Sequence, residues 1–241
     1  MVPSTMPLTL LRLAILLVVG CGDGSGESDG PRSPVIWAVT RTSAETEVLR
    51  SADDGTTWST SLRASNGLRV IAFPSRERGW VVRGGAFRTV DGGTSWTAQT
   101  LVADDGVTFH DLAFTSDGGR GVAFGAYPAV PAERPFPRWI GIHTQDGGGS
   151  WAEGTGVAGT PYFGIRSSCL HATGSAIAVG GDRGFTSVMN TAAALWSGDA
   201  GATWQTIHGR LASDGIGRLA DALQGTACVG SAETWIAGRD V

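Results

Sequence analysis

Thr89-Val-Asp-Gly-Gly-Thr-Ser-Trp96 decides how this chain folds, because versions of it occur four times. The others are Ser51-Ala-Asp-Asp-Gly-Thr-Thr-Trp58, Thr144-Gln-Asp-Gly-Gly-Gly-Ser-Trp151 and Ser197-Gly-Asp-Ala-Gly-Ala-Thr-Trp204. All four fit Ser/Thr-x-Asp-x-Gly-x-Ser/Thr-Trp, and such recurrence is the signature of a repeat architecture. Each position has a physical reason. Asp bonds its own backbone a few residues on, and Gly supplies the positive φ of a tight turn. Ser or Thr adds another short-range bond. Trp opens the next strand with a large apolar area. Apolar residues flanking each copy alternate as strands do, so the unit is a hairpin with a built-in anchor.

On these residues the chain resembles the Asp-box repeat of sialidase-type β-propellers, which also occurs in other bacterial glycosidases and in the photosystem II assembly-factor family. The resemblance covers most of the chain after about Pro34. It implies an all-β propeller of four-stranded antiparallel blades, in which each box joins the third and fourth strands at the outer rim. The structural residues it implies are Asp53, Gly55 and Trp58; Asp91, Gly93 and Trp96; Asp146, Gly148 and Trp151; and Asp199, Gly201 and Trp204. The run Arg78–Trp96 looks most like the assembly-factor type of repeat. A photosystem role is not implied, because the likeness is to the repeat and not to a functional patch.

In chain order, Arg12 and the short apolar run Leu13–Val19 read as an export signal, too short for an ordinary spanning helix. Val18-Val-Gly-Cys21 resembles a bacterial lipobox, which implies lipid on Cys21 and several acyl chains holding the protein to a membrane. Residues 1–20 are thus expected as a lipoprotein signal peptide. Residues 21–34, rich in Gly and Ser, are expected as a flexible linker, and 35–241 as the propeller.

The second repeat is the clearest. Leu68–Phe73 is an inner strand, Trp80–Arg83 the next, Ala86–Val90 the third, and Trp96–Leu101 the fourth. The third repeat runs from Val107 and carries a proline-rich insertion at 127–138. The fourth carries one at about 182–190. Trp37, Trp80 and Trp235 open second strands, so seven of the nine tryptophans hold repeat-fixed positions and serve packing. The end of the chain aligns with the first two strands of a fifth blade, and the first blade lacks an inner strand before Val35. About four to five blades are expected, three of them complete, as in an incomplete or truncated propeller; a small ring closed by the C-terminal strands is the other reading.

Composition narrows the function. Gly makes up 37 of 241 residues, about twice the ordinary share, as turn-dense β structure requires. The net charge of −4 makes no electrostatic case for nucleic acid. All 18 basic residues are Arg, which excludes Schiff-base and P-loop lysines. Cys169 and Cys228 remain as an even pair on inner strands of neighbouring blades. They form either a disulfide of an exported protein or two separate buried thiols. Neither has zinc-ligand spacing.

Candidate chemistry is sparse. A sialidase would show an early Arg-Ile-Pro-type motif, three arginines and a Tyr/Glu pair; the early strand here is Pro34-Val-Ile-Trp37. Tyr127 and Tyr162 are the two tyrosines, and neither Tyr162 with Glu153 nor Arg166 has supporting spacing. Other glycosidases of this repeat type use two carboxylates across a cleft, for which Asp111, Asp117 and Asp221 are candidates. His110, His143, His171 and His208 are scattered, and Asp104-Asp105-Gly106 lacks the further ligands of a calcium loop. No metal or cofactor is expected. The reading is a non-catalytic, lipid-anchored binding or assembly scaffold of the bacterial cell envelope, contacting protein or glycan through inner-strand ends and the 127–138 loop. A degenerate or truncated glycoside hydrolase is the other.

Overall fold

The computed structural model describes residues 18–19, 35–41, 45–65, 67–102, 106–129, 137–157, 165–181, 192–206, 222–229 and 233–239. Cys21, the 21–34 linker, most of the 127–138 loop, Tyr162, the 182–190 insertion, His208 and Asp221 lie outside them. The described residues form strands and turns. The first sheet contains β1 (Val18–Val19), β2 (Ile36–Arg41), β3 (Thr46–Ser51) and β4 (Ser59–Ala64). The second contains β5 (Val70–Ala72), β6 (Gly79–Val82), β7 (Ala86–Thr89) and β8 (Thr97–Gln99). The third contains β9 (Thr108–Phe114), β10 (Gly121–Tyr127), β11 (Arg138–Thr144) and β12 (Ala152–Glu153). The fourth contains β13 (Ile165–Leu170), β14 (Ala176–Gly181), β15 (Ala192–Ser197) and β16 (Gln205–Thr206), and β17 (Ala222–Val229) with β18 (Glu233–Arg239) makes a fifth.

Every sheet is an antiparallel meander. The inner strands β5, β9, β13 and β17 lie side by side, so the sheets stand as successive blades around a centre. Four sheets are four-stranded, one more than the sequence suggests. The difference is β1. Val18 and Val19, read as the end of an apolar leader, pair with Trp37 and Ile36 and supply the inner strand that the first blade otherwise lacks. The second strands β6 and β10 are covered on both faces and therefore read as continuous apolar runs; every residue of each is buried. The short fourth strands β8, β12 and β16 are polar and largely exposed.

The four Asp–Gly corners share one hydrogen-bond set. In the second, Thr89 Oγ1 donates to Asp91 Oδ1 at 2.8 Å and accepts from the Gly93 amide at 2.9 Å. Asp91 also accepts from the Ser95 amide at 2.9 Å and the Ser95 hydroxyl at 2.5 Å. The same bonds recur around Asp53, Asp146 and Asp199. They hold the carboxylates ionised. The Thr57 hydroxyl and amide bring Asp53 down to about 2, and Ser95 does the same for Asp91. The Ser150 amide and hydroxyl lower Asp146 as well. At Asp199 burial pulls upward, but bonds from Thr203 and Ser197 outweigh it.

The second, third and fourth corners also grip the preceding blade. A Cβ on Gly93 would lie 2.2 Å from the Trp37 ring, and one on Gly148 would lie 2.1 Å from that of Trp80. Only Gly fits there, and both have positive φ, 78° and 82°. Trp37 stacks on Phe73 at 4.0 Å and meets the edge of Trp96 at 6.3 Å. Trp80 repeats this with Phe114 and Trp151 one blade on, at 6.2 and 5.8 Å. On the same blade Arg50 lies over Trp37 and Arg88 over Trp80, at 5.9 and 5.3 Å, each directly cross-strand from its indole. The Nε atoms of both arginines are enclosed without a hydrogen-bond partner among the described residues, and the indole faces take the charge instead. Burying an indole so completely contributes up to about 5 kcal/mol. At the third junction Val122 takes the tryptophan position, under Gly201.

Gly148→Ala should therefore destabilise the protein by about 2–4 kcal/mol, combining a clash with positive-φ strain. Gly55→Ala should cost only about 1 kcal/mol, because the nearest atoms to its added Cβ are 3.8 and 3.9 Å away; paired denaturant melts measure both. The corner carboxylates have folded pKa values below the unfolded one. Their contribution is complete above about pH 4 and is lost as pH falls towards about 2, where Asp53 and Asp91 titrate. Thermal melts at stepped pH should show stability falling across that window.

Candidate functional site: a cavity at the inner strands

Four inner strands border an open pocket of about 430 Å³. Val70, Ile71 and Ala72 of β5, with Phe73 and Pro74 after it, make an apolar wall. Asp111, Leu112 and Phe114 come from β9, Ser168 from β13 and Thr226 from β17. The register of β9 against β10 skips His110, and its ring lies beside Trp139, 5.1 Å between ring centroids. The polar wall is tied across blades, because Ser167 Oγ lies 3.0 Å from Thr226 Oγ1 and accepts from the Thr226 amide at 3.0 Å. Cys169 and Cys228 are bridged directly beside this pair, their Cα atoms 5.6 Å apart. The bridge, with the 2.9 Å bond between His171 Nε2 and Thr234 Oγ1, fixes β17 and β18 against the fourth blade.

Asp111 is the titratable group among the described residues that line the pocket. Burial pushes its carboxyl up to about 6; the Leu112 amide and the nearby Ser168 pull it partway back. The Ser168 hydroxyl is close to the carboxyl but outside hydrogen-bond geometry. Asp111 Oδ2 and Ser168 Oγ are both enclosed without a partner among the described residues. An acceptor and a hydroxyl so placed suit a ligand that donates hydrogen bonds or carries positive charge against the β5 wall. On the far side of β9, burial lowers the pKa of His110, and Arg83 and Arg69 lower it further.

The other candidate acids lie elsewhere. Asp117 caps the turn after β9, accepting from Thr115 at 2.5 Å and the Gly119 amide at 2.9 Å, which lower its pKa. Glu153 pairs with Arg138 at 3.3 Å, and that guanidinium also covers the Tyr127 ring at 4.4 Å. Glu153 is therefore committed on β12, at the outer edge of its blade. Arg166 is exposed on β13. Asp53, Asp91, Asp146 and Asp199 are turn-forming carboxylates of the outer corners. Among the described residues no three His, Cys, Asp or Glu side chains gather as metal ligands would. Sequence reasoning named Asp111 but missed Ser168 and Thr226. They are 58 residues apart, and the signal available was the matching repeat position of Cys169 and Cys228 next to them.

Asp111→Asn should raise stability at pH 7–8. The folded-state pKa is raised, so the ionised carboxyl destabilises the fold above it, and that cost disappears as pH falls through the unfolded value near 4. The shift corresponds to about 2–3 kcal/mol, and the advantage over the unsubstituted chain should close between pH 6 and 4 in pH-stepped denaturant melts.

No protein-family model matches the chain, and no curated protein does. Solved structures do. An ancestral GH74 enzyme superposes with a TM-score of 0.57 at 16% identity, covering 84% of this chain and 26% of its own. The GH74 enzyme of Niastella koreensis gives 0.52 at 17%, covering 73% and 28%. YCF48 bound to a D1 peptide is 27% identical over 58% of this chain and 39% of its own, with a TM-score of 0.43. The chain thus spans between 26% and 39% of the length of these structures. The GH74 likenesses agree with the sheet arrangement, and the chain has an all-β propeller fold of four-stranded antiparallel blades.

Proposed function

We propose that this protein is a non-catalytic binding scaffold of the cell envelope, built on Asp-box repeats and held to a membrane through lipid on Cys21, a modification that would remove residues 1–20 and β1 with them. Its ligand is a protein segment or glycan that enters the inner-strand cavity and donates hydrogen bonds to Asp111. The observation that carries this reading is the cavity lining: one carboxyl, two hydroxyl-bearing residues and an apolar wall. Glycoside hydrolysis by the usual route needs a second carboxyl roughly 5–9.5 Å from the first. Among the described residues the other candidate acids, Asp117 and Glu153, are held in a turn and an ion pair, and Asp221 lies outside them.

The second reading, a glycoside hydrolase, is favoured by the acidity of Asp111 itself. A carboxyl near 6 is protonated often enough at neutral pH to act as a general acid.

One experiment separates them. The chain and its Asp111→Asn variant are used to capture partners from envelope extract and assayed on fluorogenic glycosides and polymeric glucans. Capture that weakens about tenfold or more in the variant, as loss of a buried charge-assisted contact requires, with no turnover by either protein, is the expected result. Turnover that Asp111→Asn abolishes would replace the scaffold with the hydrolase. In membrane fractionation Cys21→Ser should move the protein to the soluble fraction; retention at the membrane would overturn the lipid anchor.

A further inference from the structure

We propose, resting on the scaffold reading, that the inner-strand pocket receives a lysine side chain of a partner protein, its ammonium on Asp111 and Ser168 and its alkyl stem along the β5 wall. The count of hydrogen-bond groups selects this cation. Asp111 Oδ2 and Ser168 Oγ have no hydrogen-bond partner among the described residues. Thr226 Oγ1 lies 3.0 Å from Ser167 Oγ, and a hydroxyl oxygen can accept a further bond. The lining therefore offers two free acceptors and one shared one, and an ammonium brings three donors. A guanidinium brings five in a rigid fork and takes both oxygens of one carboxylate. That fork fits poorly, because the Leu112 amide already draws on the Asp111 carboxyl. The terminal torsion of an aspartate is broad, so a rotation of the carboxyl turns Oδ2 from its enclosed position to the entering cation.

The rest of the lining suits the stem. Val70 to Pro74 form a continuous apolar wall, and a lysine lays its methylenes on such a surface while its charged head stays with polar groups. An amino sugar carries its ammonium on a ring of hydroxyls, which this wall leaves unpaired. The charge is also available. None of the other described residues of the lining is ionisable. β5, β10 and β17 contain no charged residue, Phe124 of β10 stands directly across from Asp111, and Arg166 of β13 is exposed. The guanidinium groups of Arg69 and Arg83 bear on His110, the other titratable group of β9. The sequence holds no lysine, so no side chain of this chain competes for the seat.

Calorimetric titration of the whole chain in non-ionic detergent tests this. The probes are N-acetyl-lysine methylamide, its arginine, norleucine and Nε-acetyl-lysine counterparts, and glucosamine. The lysine compound should bind at least about tenfold more tightly than the norleucine and Nε-acetyl compounds, as a charge-assisted contact requires. Asp111→Asn should abolish that preference, with melts showing that the variant folds, and Ser168→Ala should reduce it by about threefold. From pH 7 to pH 5 the affinity for lysine should fall by about tenfold, since Asp111 takes up its proton near 6, while norleucine is unaffected. Norleucine, arginine or glucosamine binding as tightly as lysine overturns the proposal, as does no binding of the lysine compound up to about 10 mM. Capture from envelope extract is then repeated after the extract's lysines are acetylated, and it should be lost. Capture that needs Asp111 yet survives acetylation overturns the lysine and leaves the scaffold standing. Absence of any Asp111-dependent capture overturns the scaffold, and the lysine seat with it.

Discussion

An indole closed under a glycine holds each of the first two blades to its successor. Trp37 and Trp80 are sandwiched between an arginine of their own blade and a phenylalanine of the next, with the corner glycine on the ring edge. The corner can present glycine there only because its backbone is held in a left-handed turn by Asp and Ser/Thr bonds that span at most four residues. A strictly local device thus creates the long-range contact. Losing the turn would remove the seat, and losing the seat would expose an indole face with a guanidinium already desolvated against it.

The junction tolerates change in its apolar half and not in its polar half. At the third junction Val122 replaces the tryptophan and Leu170 packs in the same cluster, with Trp204 reaching in from the corner to meet Phe124 at 5.0 Å. The corner at Asp199 keeps every bond of the others. Packing volume can be redistributed among neighbouring side chains, whereas a buried turn amide without its acceptor has no substitute. Stability in such a stack accumulates from neighbour to neighbour. The bridge between Cys169 and Cys228 acts where the stack is thinnest, tying a two-stranded sheet to a four-stranded one.

This division explains what could be read from the sequence. The four corners are legible because every bond that makes them lies within a short window. The packing role of Trp37 and Trp80 is legible because they recur at one repeat position. What covers those rings is not, since Gly93 and Gly148 were readable as turn formers but not as lids. The first inner strand was missed for a different reason. Two valines in an apolar run look the same whether they lead a chain out of the cell or pair with Ile36 and Trp37. The cavity was hardest to see, because Asp111, Ser168 and Thr226 meet only through the order of the blades.

The same division bears on function. Acids are plentiful along the chain, but the corner carboxylates each accept three or more hydrogen bonds and have little capacity left for a ligand. Asp117 is held in its turn and Glu153 in its ion pair. Among the described residues the pocket is lined by one carboxyl, raised by burial and near a hydroxyl that does not satisfy it. Folding uses acids at the rim, where local amides hold them ionised. The one at the centre lacks such support: burial raises it, and its Oδ2 has no hydrogen-bond partner among the described residues. A substitution at the rim therefore removes bonds that hold the fold together, whereas one at Asp111 removes a carboxyl whose ionisation works against it.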